Sequence, residues 1–338
     1  MGYILTINEF NEIIKKLKKD NKVFAPKIFL GEGTFSDTDL VRYGEIEELK
    51  DIEFNKKSSF LYKEVIMPMN QTLFYFTEDK CIEPKEDEKG IIVFLRSCDM
   101  HSVKRIDEIY LNNGLVDPYY KKLRDKTKFI LIGCEKSFDN CFCVSMGTNI
   151  SKNYDGYINV LNDEIEFDIK DEFFEEYFKN VEKKKEDINI KFAKENEVKV
   201  NIPENLDISV MDSSLWKEYS SRCIACGRCN FVCPTCTCFT MQDIFYKDNS
   251  KAGERKRVWA SCQVKGYTDM AGGHSFREDK GQRMRFKVMH KVYDYKKRFG
   301  YHMCVGCGRC DDICPEYISF SNCVNKLEKA MDEVKKND

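Results

Sequence analysis

With 338 residues, 42% of them hydrophobic, and 55 Lys and Arg against 57 Asp and Glu for a net charge of −2, the chain is neither disordered nor a globally basic nucleic-acid binder. The length favours two domains, each able to bury a core. The longest compact apolar runs, residues 91–95 and 129–132, fall far short of the roughly 18–20 residues of a membrane span, and the N-terminus lacks a signal-peptide layout, so a cytoplasmic location with no membrane and no nucleic-acid partner is expected.

In chain order, Thr6 and Glu9 form a capping box, followed by Phe10, Ile13, Ile14 and Leu17 at helical spacing with Lys15, Lys16, Lys18 and Lys19 on the solvated side. From residue 22 to about 165 the signal turns to strands at 23–24, 27–30, 73–77, 91–96, 128–133 and 157–161, with a helical stretch over 100–111. The glycine-bearing segment 31–36 lacks a third glycine and a following helix, so it reads as a turn and no nucleotide site is assigned. An amphipathic helix is expected over 171–187, with Phe173, Phe174, Tyr177, Phe178 and Val181 on one side and a charge run at its end. A break at Pro203 places a domain boundary near 200. The expected architecture is an α/β or α+β N-terminal domain, 1–205, followed by a mostly helical, ferredoxin-like C-terminal domain, 206–338.

The chemistry lies in the 17 cysteines. They crowd into short clusters in a chain without an export signal, and their odd number leaves at least one thiol unpaired, so metal ligation is favoured over disulfides. Cys223, Cys226, Cys229 and Cys233-Pro234 form a C-x2-C-x2-C-x3-C-P run, and Cys304, Cys307, Cys310 and Cys314-Pro315 repeat it. This is the two-cluster ferredoxin spacing. Three thiolates within seven residues wrap three corners of a cube, and the fourth, carried past the loop before the proline, reaches the other cube. One 4Fe–4S cluster is therefore expected on Cys223, Cys226, Cys229 and Cys314, and a second on Cys304, Cys307, Cys310 and Cys233. Gly227 and Gly308 allow the loop backbone close to sulfur. Structural zinc usually shows two separated C-x2-C knuckles around one ion, a pattern these runs fit poorly.

Four further cysteines follow predicted strands: Cys98 after 91–96, and Cys134, Cys141 and Cys143 after 128–133. If those strands are neighbours, their C-terminal ends would make a third iron–sulfur site; a bare metal or redox site, or buried small apolar side chains, are the alternatives, and His101 complicates the ligand choice. Cys236, Cys238 and Cys262 are expected to pack around the first motif, and Cys81 and Cys323 carry no assignment. About 70 residues separate the two motifs, far more than a minimal ferredoxin needs. They include a helix marked by Met284, Val288, Val292, Tyr295 and Phe299 that ends near Gly300. Its cations Arg283, Arg285, Lys287, Lys291, Lys296, Lys297 and Arg298 suit either the C-terminus of a core helix or a docking face for an acidic partner.

Several stretches together resemble the A subunit of anaerobic sulfite reductase: Phe35-Ser-Asp-Thr-Asp-Leu40, Leu73-Phe-Tyr-Phe-Thr77, Arg96-Ser-Cys-Asp99, Cys233-Pro-Thr-Cys-Thr-Cys238, Ala271-Gly-Gly-His-Ser-Phe-Arg277 and Ile318-Ser-Phe-Ser-Asn-Cys323. The resemblance runs along nearly the whole chain and extends to the beta subunits of cytoplasmic sulfhydrogenases. It implies an anaerobic complex in which this chain relays electrons from a flavin subunit oxidising NAD(P)H to a siroheme subunit that reduces sulfite to sulfide. The alternatives are the equivalent relay of a nickel–iron sulfhydrogenase, and, from another class, a zinc-stabilised interaction protein. The resemblance carries over all eight motif cysteines, and no catalytic residue or substrate site of the chain's own is expected.

Overall fold

The computed structural model describes residues 2–337 except 36, 86, 162, 163 and 186, so Ser36 of the glycine-bearing turn and Glu186 of the charge run lie outside the described residues. The chain forms two compact units: Met1–Pro68, Pro84–Phe138 and Thr148–Glu195 make the first, and Met69–Glu83, Asp139–Gly147 and Asn196–Asp338 the second. The second unit thus takes its bulk from Asn196–Asp338 and recruits two short stretches from earlier in the chain. Strand pairing between distant segments leaves no local mark that would announce them.

Its strands, numbered along the chain, are β1 (Gly2–Thr6), β2 (Asn21–Phe29), β3 (Leu40–Glu45), β4 (Asn70–Phe76), β5 (Cys81–Ile82), β6 (Gly90–Leu95), β7 (Thr127–Ile132), β8 (Gly156–Leu161), β9 (Glu164–Ile169), β10 (Lys184–Lys185), β11 (Phe239–Tyr246) and β12 (Asn249–Trp259). In the first unit the described residues form an eight-stranded sheet ordered β10-β1-β9-β8-β7-β6-β2-β3. Its centre, β2-β6-β7-β8, is parallel, and its flanks are antiparallel. The near-continuous apolar runs Ile91–Leu95 and Phe129–Ile132 are what a strand covered on both faces requires.

Helix α1 (Ile7–Asp20) covers one face through Phe10, Ile13, Ile14 and Leu17. It starts where expected: Glu9 N–H donates to Thr6 Oγ1 (3.3 Å) and Thr6 N–H to the Glu9 carboxylate (2.7 Å). After the one-turn α2 (Lys63–Ile66), helices α3 (Ser97–Tyr110) and α4 (Pro118–Asp125) make the crossover from β6 to β7.

The helix expected over 171–187 is instead a 3-10 helix, Glu172–Phe178, followed by β10. Asp171 caps it by accepting from Phe173 N–H (2.9 Å), and Phe174 and Phe178 pack on Phe167, with ring centroids 6.1 and 4.7 Å away. Pairing of Lys184 and Lys185 with Tyr3 and Gly2 extends the chain and ends any further helix.

The second unit contains a four-stranded sheet, β11-β12-β4-β5, in addition to helices, which corrects the expectation of a mostly helical C-terminal domain. The β11–β12 hairpin occupies much of the long interval between the cysteine motifs. It escaped sequence reading because β11 is exposed along its whole length, so no apolar alternation marks it. Cross-strand charge pairing takes that role: Arg255 and Asp243 face each other in register and meet in a two-pronged contact of 2.6 Å. The helices here are α5 (Leu215–Arg222), α6 (Arg228–Phe231), α7 (Lys280–Met289), α8 (Tyr295–Phe299), α9 (Arg309–Asp312), α10 (Phe320–Asn325) and α11 (Leu327–Asn337). A five-residue π turn, His290–Asp294, joins α7 to α8, and Gly300 ends the run in the left-handed conformation (φ 84°). Their shared core includes Trp216, Tyr219, Met284, Val288, Val292, Phe320, Val324, Leu327 and Met331. No helix among the described residues is long and apolar enough to cross a membrane.

Candidate metal centre

Both cysteine motifs fold alike, because both carry the same backbone demands. α5 ends at Cys223, whose N–H donates to Tyr219 O (3.1 Å). The loop then turns through Ala225 (φ 58°) and Gly227 (φ 75°) into the single turn α6 that carries Cys229. In the second motif Gly306 (φ 64°) and Gly308 (φ 71°) repeat these turns ahead of α9 and Cys310. The left-handed residue between the first two cysteines aims its N–H back at the preceding sulfur. Ala225 N–H donates to Cys223 Sγ (3.3 Å), Gly306 N–H to Cys304 Sγ (3.4 Å), and Ile318 N–H to Cys314 Sγ (3.3 Å). Such donors favour negative charge on sulfur.

Two adjoining hollows result. Cys223, Cys226, Cys229 and Cys314 line the first, with Cys310 at its inner wall. Cys304, Cys307, Cys310 and Cys233 line the second. The second hollow draws three thiols from its own motif and Cys233 from the other, the first draws three from its own motif and Cys310 and Cys314 from the other, and the two share Cys310, Lys287 and Phe320 as a common wall. Among the described residues no group of three His, Cys, Asp or Glu is set to hold a single metal ion.

The electrostatics suit an anion-forming metal group. Burial pushes the Cys304 thiol up to about 12 and Cys310 well above the usual thiol range, so these sulfurs need cationic metal to become thiolates. Lys287 and Lys291 are 4% and 3% exposed and face the hollows from one side of the α7–π segment. Burial disfavours charge on both, yet the surrounding cysteines hold both ammoniums above their ordinary range. These two lysines, with Arg283, are turned inward, so the cation-rich helix cannot present them as a docking face for an acidic partner. Arg283 instead donates to the carbonyls of Arg277 (2.8 Å), Glu278 (2.9 Å) and Gln263 (3.2 Å).

The segment Asp139–Gly147 packs on the second motif within the same unit. Phe142 N–H donates to Gly306 O (2.7 Å), Cys141 Sγ lies 3.5 Å from Cys307 O, and Asn140 Nδ2 donates to Asp312 (2.9 Å). Asn196 Nδ2 approaches Cys143 Sγ at 3.6 Å. Of the four thiols considered for a third site, Cys141 and Cys143 thus belong to the second unit, and Cys98 and Cys134 to the first.

In the first unit β6 and β7 are parallel neighbours, so Cys98 in the opening turn of α3 and Cys134 just past β7 both follow strand C-terminal ends. Burial raises the Cys134 thiol, against the opposing pull of Arg96. Arg96 is fixed by the carbonyls of Gly133 (2.6 Å) and Phe54 beside a cavity of roughly 430 Å³ lined by Cys134, Lys136 and Lys191. His101 is engaged elsewhere, with Nε2 2.7 Å from Ile150 O.

Cys236, Cys238 and Cys262 line neither hollow. Cys262 is buried and accepts from Asn230 Nδ2 (3.0 Å), and Cys236 N–H donates to Cys233 O (3.3 Å), which ties both to the first motif. Cys323 is fully buried and Cys81 is exposed on β5. Sequence reasoning did not single out Lys287 and Lys291 as site residues. The available signal was their spacing from Met284 and Val288, which continues the buried stripe of the helix.

Residues 222–318 match the family described as the 4Fe-4S dicluster domain. Over 98% of its length the chain is 29% identical to the sulfhydrogenase 2 subunit beta of Pyrococcus furiosus, and the match spans the whole of that protein. No solved structure matches. The chain carries two 4Fe–4S clusters and is an iron–sulfur electron-transfer protein.

Proposed function

We propose that this chain is the electron-relay subunit of an oxidoreductase complex, passing single electrons between an input subunit and a partner that breaks or forms the substrate bond. The observation that carries this reading is the pair of adjoining hollows, each lined by cysteines of both motifs and sharing one wall. A 4Fe–4S cluster bound in each supplies a one-electron carrier with no open coordination position. The first cluster is assigned to Cys223, Cys226, Cys229 and Cys314, the second to Cys304, Cys307, Cys310 and Cys233. The protein's own part is to hold these thiolates, to donate N–H groups to sulfur, and to keep water from the buried wall formed with Phe320.

Two assemblies are proposed for the relay. The full-length similarity to a sulfhydrogenase beta subunit favours a hydrogenase partner. The 35–40 segment and its companions favour the sulfite-reducing complex, in which a flavin subunit feeds this chain and a siroheme subunit consumes the electrons. Anaerobic co-purification from the native cell decides between them. Nickel in the captured complex supports the hydrogenase, and siroheme absorption supports the sulfite enzyme. Recovery of the chain with neither, free of partner subunits, would overturn the relay reading.

A further inference from the structure

Lys287 and Lys291 stand four residues apart and point the same way, from the last turns of α7 into the π turn. Both are buried to within a few per cent of full enclosure. Lys287 Nζ lies 3.4 Å from Cys229 O and sits over the Phe320 ring, 5.4 Å from its centroid. Lys291 Nζ donates to Thr235 Oγ1 at 2.7 Å, and that hydroxyl lies 3.4 Å from Cys233 Sγ. Neither ammonium has a carboxylate partner among the described residues. A buried cation without a counter-ion carries a desolvation penalty of several kcal/mol, so an anion must complete the site.

Position says which anion. Lys287 lines both hollows and Lys291 lines only the second. The π turn holds this arrangement, because it releases carbonyls that an α-helix would use internally. Lys291 O accepts from Met303 N–H (2.9 Å) and Cys304 N–H (3.4 Å), and Val292 O lies 2.9 Å from His302 Nδ1. The backbone of Lys291 is thereby bonded to the first residue of the second motif while its side chain enters the hollow that motif lines.

We propose that Lys287 and Lys291 are positioning residues that set the potentials of the two clusters, with Lys287 acting on both and Lys291 on the one held by Cys304, Cys307, Cys310 and Cys233. The inference rests on the cluster reading above. A thiolate-bound cube is anionic and gains one further negative charge when it takes up an electron, and no proton accompanies it. A fixed ammonium in a water-poor wall stabilises that added charge and so raises the potential. The two clusters therefore differ: one sees a single lysine and the other sees two.

The test is an EPR-monitored titration with dithionite as reductant on anaerobically purified full-length protein. Lys287→Met is expected to lower the reduced-to-oxidised ratio of both clusters at least tenfold at a fixed ambient potential, a shift of about 59 mV for a one-electron couple. Lys291→Met is expected to move only the second. Lys287→Arg and Lys291→Arg, which keep the charge, should restore the wild-type ratios. Methionine variants that lose a cluster while the arginine variants keep it support the same charge role, and loss in both would overturn it in favour of shape. Full iron and sulfide with unshifted ratios also overturns it, leaving the relay reading intact. Wild-type protein lacking iron and sulfide would instead sink the cluster reading itself.

Discussion

Replacing Cys233 by alanine will remove the cluster of the second motif and spare that of the first, although Cys233 belongs to the first motif in sequence. Cys233 lines the hollow otherwise formed by Cys304, Cys307 and Cys310, and is absent from the hollow lined by Cys223, Cys226, Cys229 and Cys314. Iron and acid-labile sulfide should fall by half relative to a dicluster chain, and one of two reduced EPR signals should vanish. Cys307→Ala should give the same surviving signal, because Cys307 lines the same hollow and is only 8% exposed, beyond easy reach of an outside ligand. Cys314→Ala should leave the opposite one. If Cys233→Ala and Cys226→Ala instead extinguish the same signal, the quartets are not crossed and the assignment fails.

Gly306→Ala will destabilise the second motif, whereas the reverse change at its counterpart in the first, Ala225→Gly, will be neutral to stabilising because it relieves the left-handed strain. Both positions are left-handed, at φ 64° and 58°, so alanine is strained at either, by about 1–3 kcal/mol. The surroundings separate them. A Cβ on Gly306 would lie 2.6 Å from the carbonyl carbon and oxygen of Phe142 and 2.7 Å from Cys143 N, all backbone atoms that cannot swing aside. It would push apart the contact in which Phe142 N–H donates to Gly306 O, opening the cover over Cys307. Ala225 already carries its methyl group. The measurement is bleaching of cluster absorbance on heating under argon: Gly306→Ala should lose half its colour several degrees below wild type, at roughly 2–4 °C per kcal/mol for a unit of this size. Equal transitions for the two variants would remove the Phe142 contact from the account.

What the sequence made legible was local. The C-x2-C-x2-C-x3-C-P runs place three thiols on one tight turn whatever surrounds them, and the runs 91–95 and 129–132 show strands covered on both faces. The capping box at Thr6 and Glu9 similarly fixes the start of α1 from four residues. The illegible parts depend on partners far along the chain. β11 has no apolar alternation because neither face is covered, and its place follows from pairing with β12, which itself pairs with β4 some 180 residues earlier, as in Thr72 with Lys256. The aromatic residues near 173–178 suggested a long helix, but β10 needs the following backbone. Lys287 and Lys291 were not singled out for a different reason: a lysine on a cation-rich helix is ordinarily solvated, and only the hollows beside it make it interior.

The mosaic origin of the second unit bears on how it could arise or be excised. β4 and β5 come from Met69–Glu83, and the wall beside Gly306 and Gly308 comes from Asp139–Gly147. A fragment cut at 206 would keep all eight motif cysteines yet leave β12 without its inner neighbour and the second motif without its lid. During synthesis, β4 can pair with β5 at once, but its β12 neighbour and the Gly306 contact of the second strip come only after more than a hundred further residues.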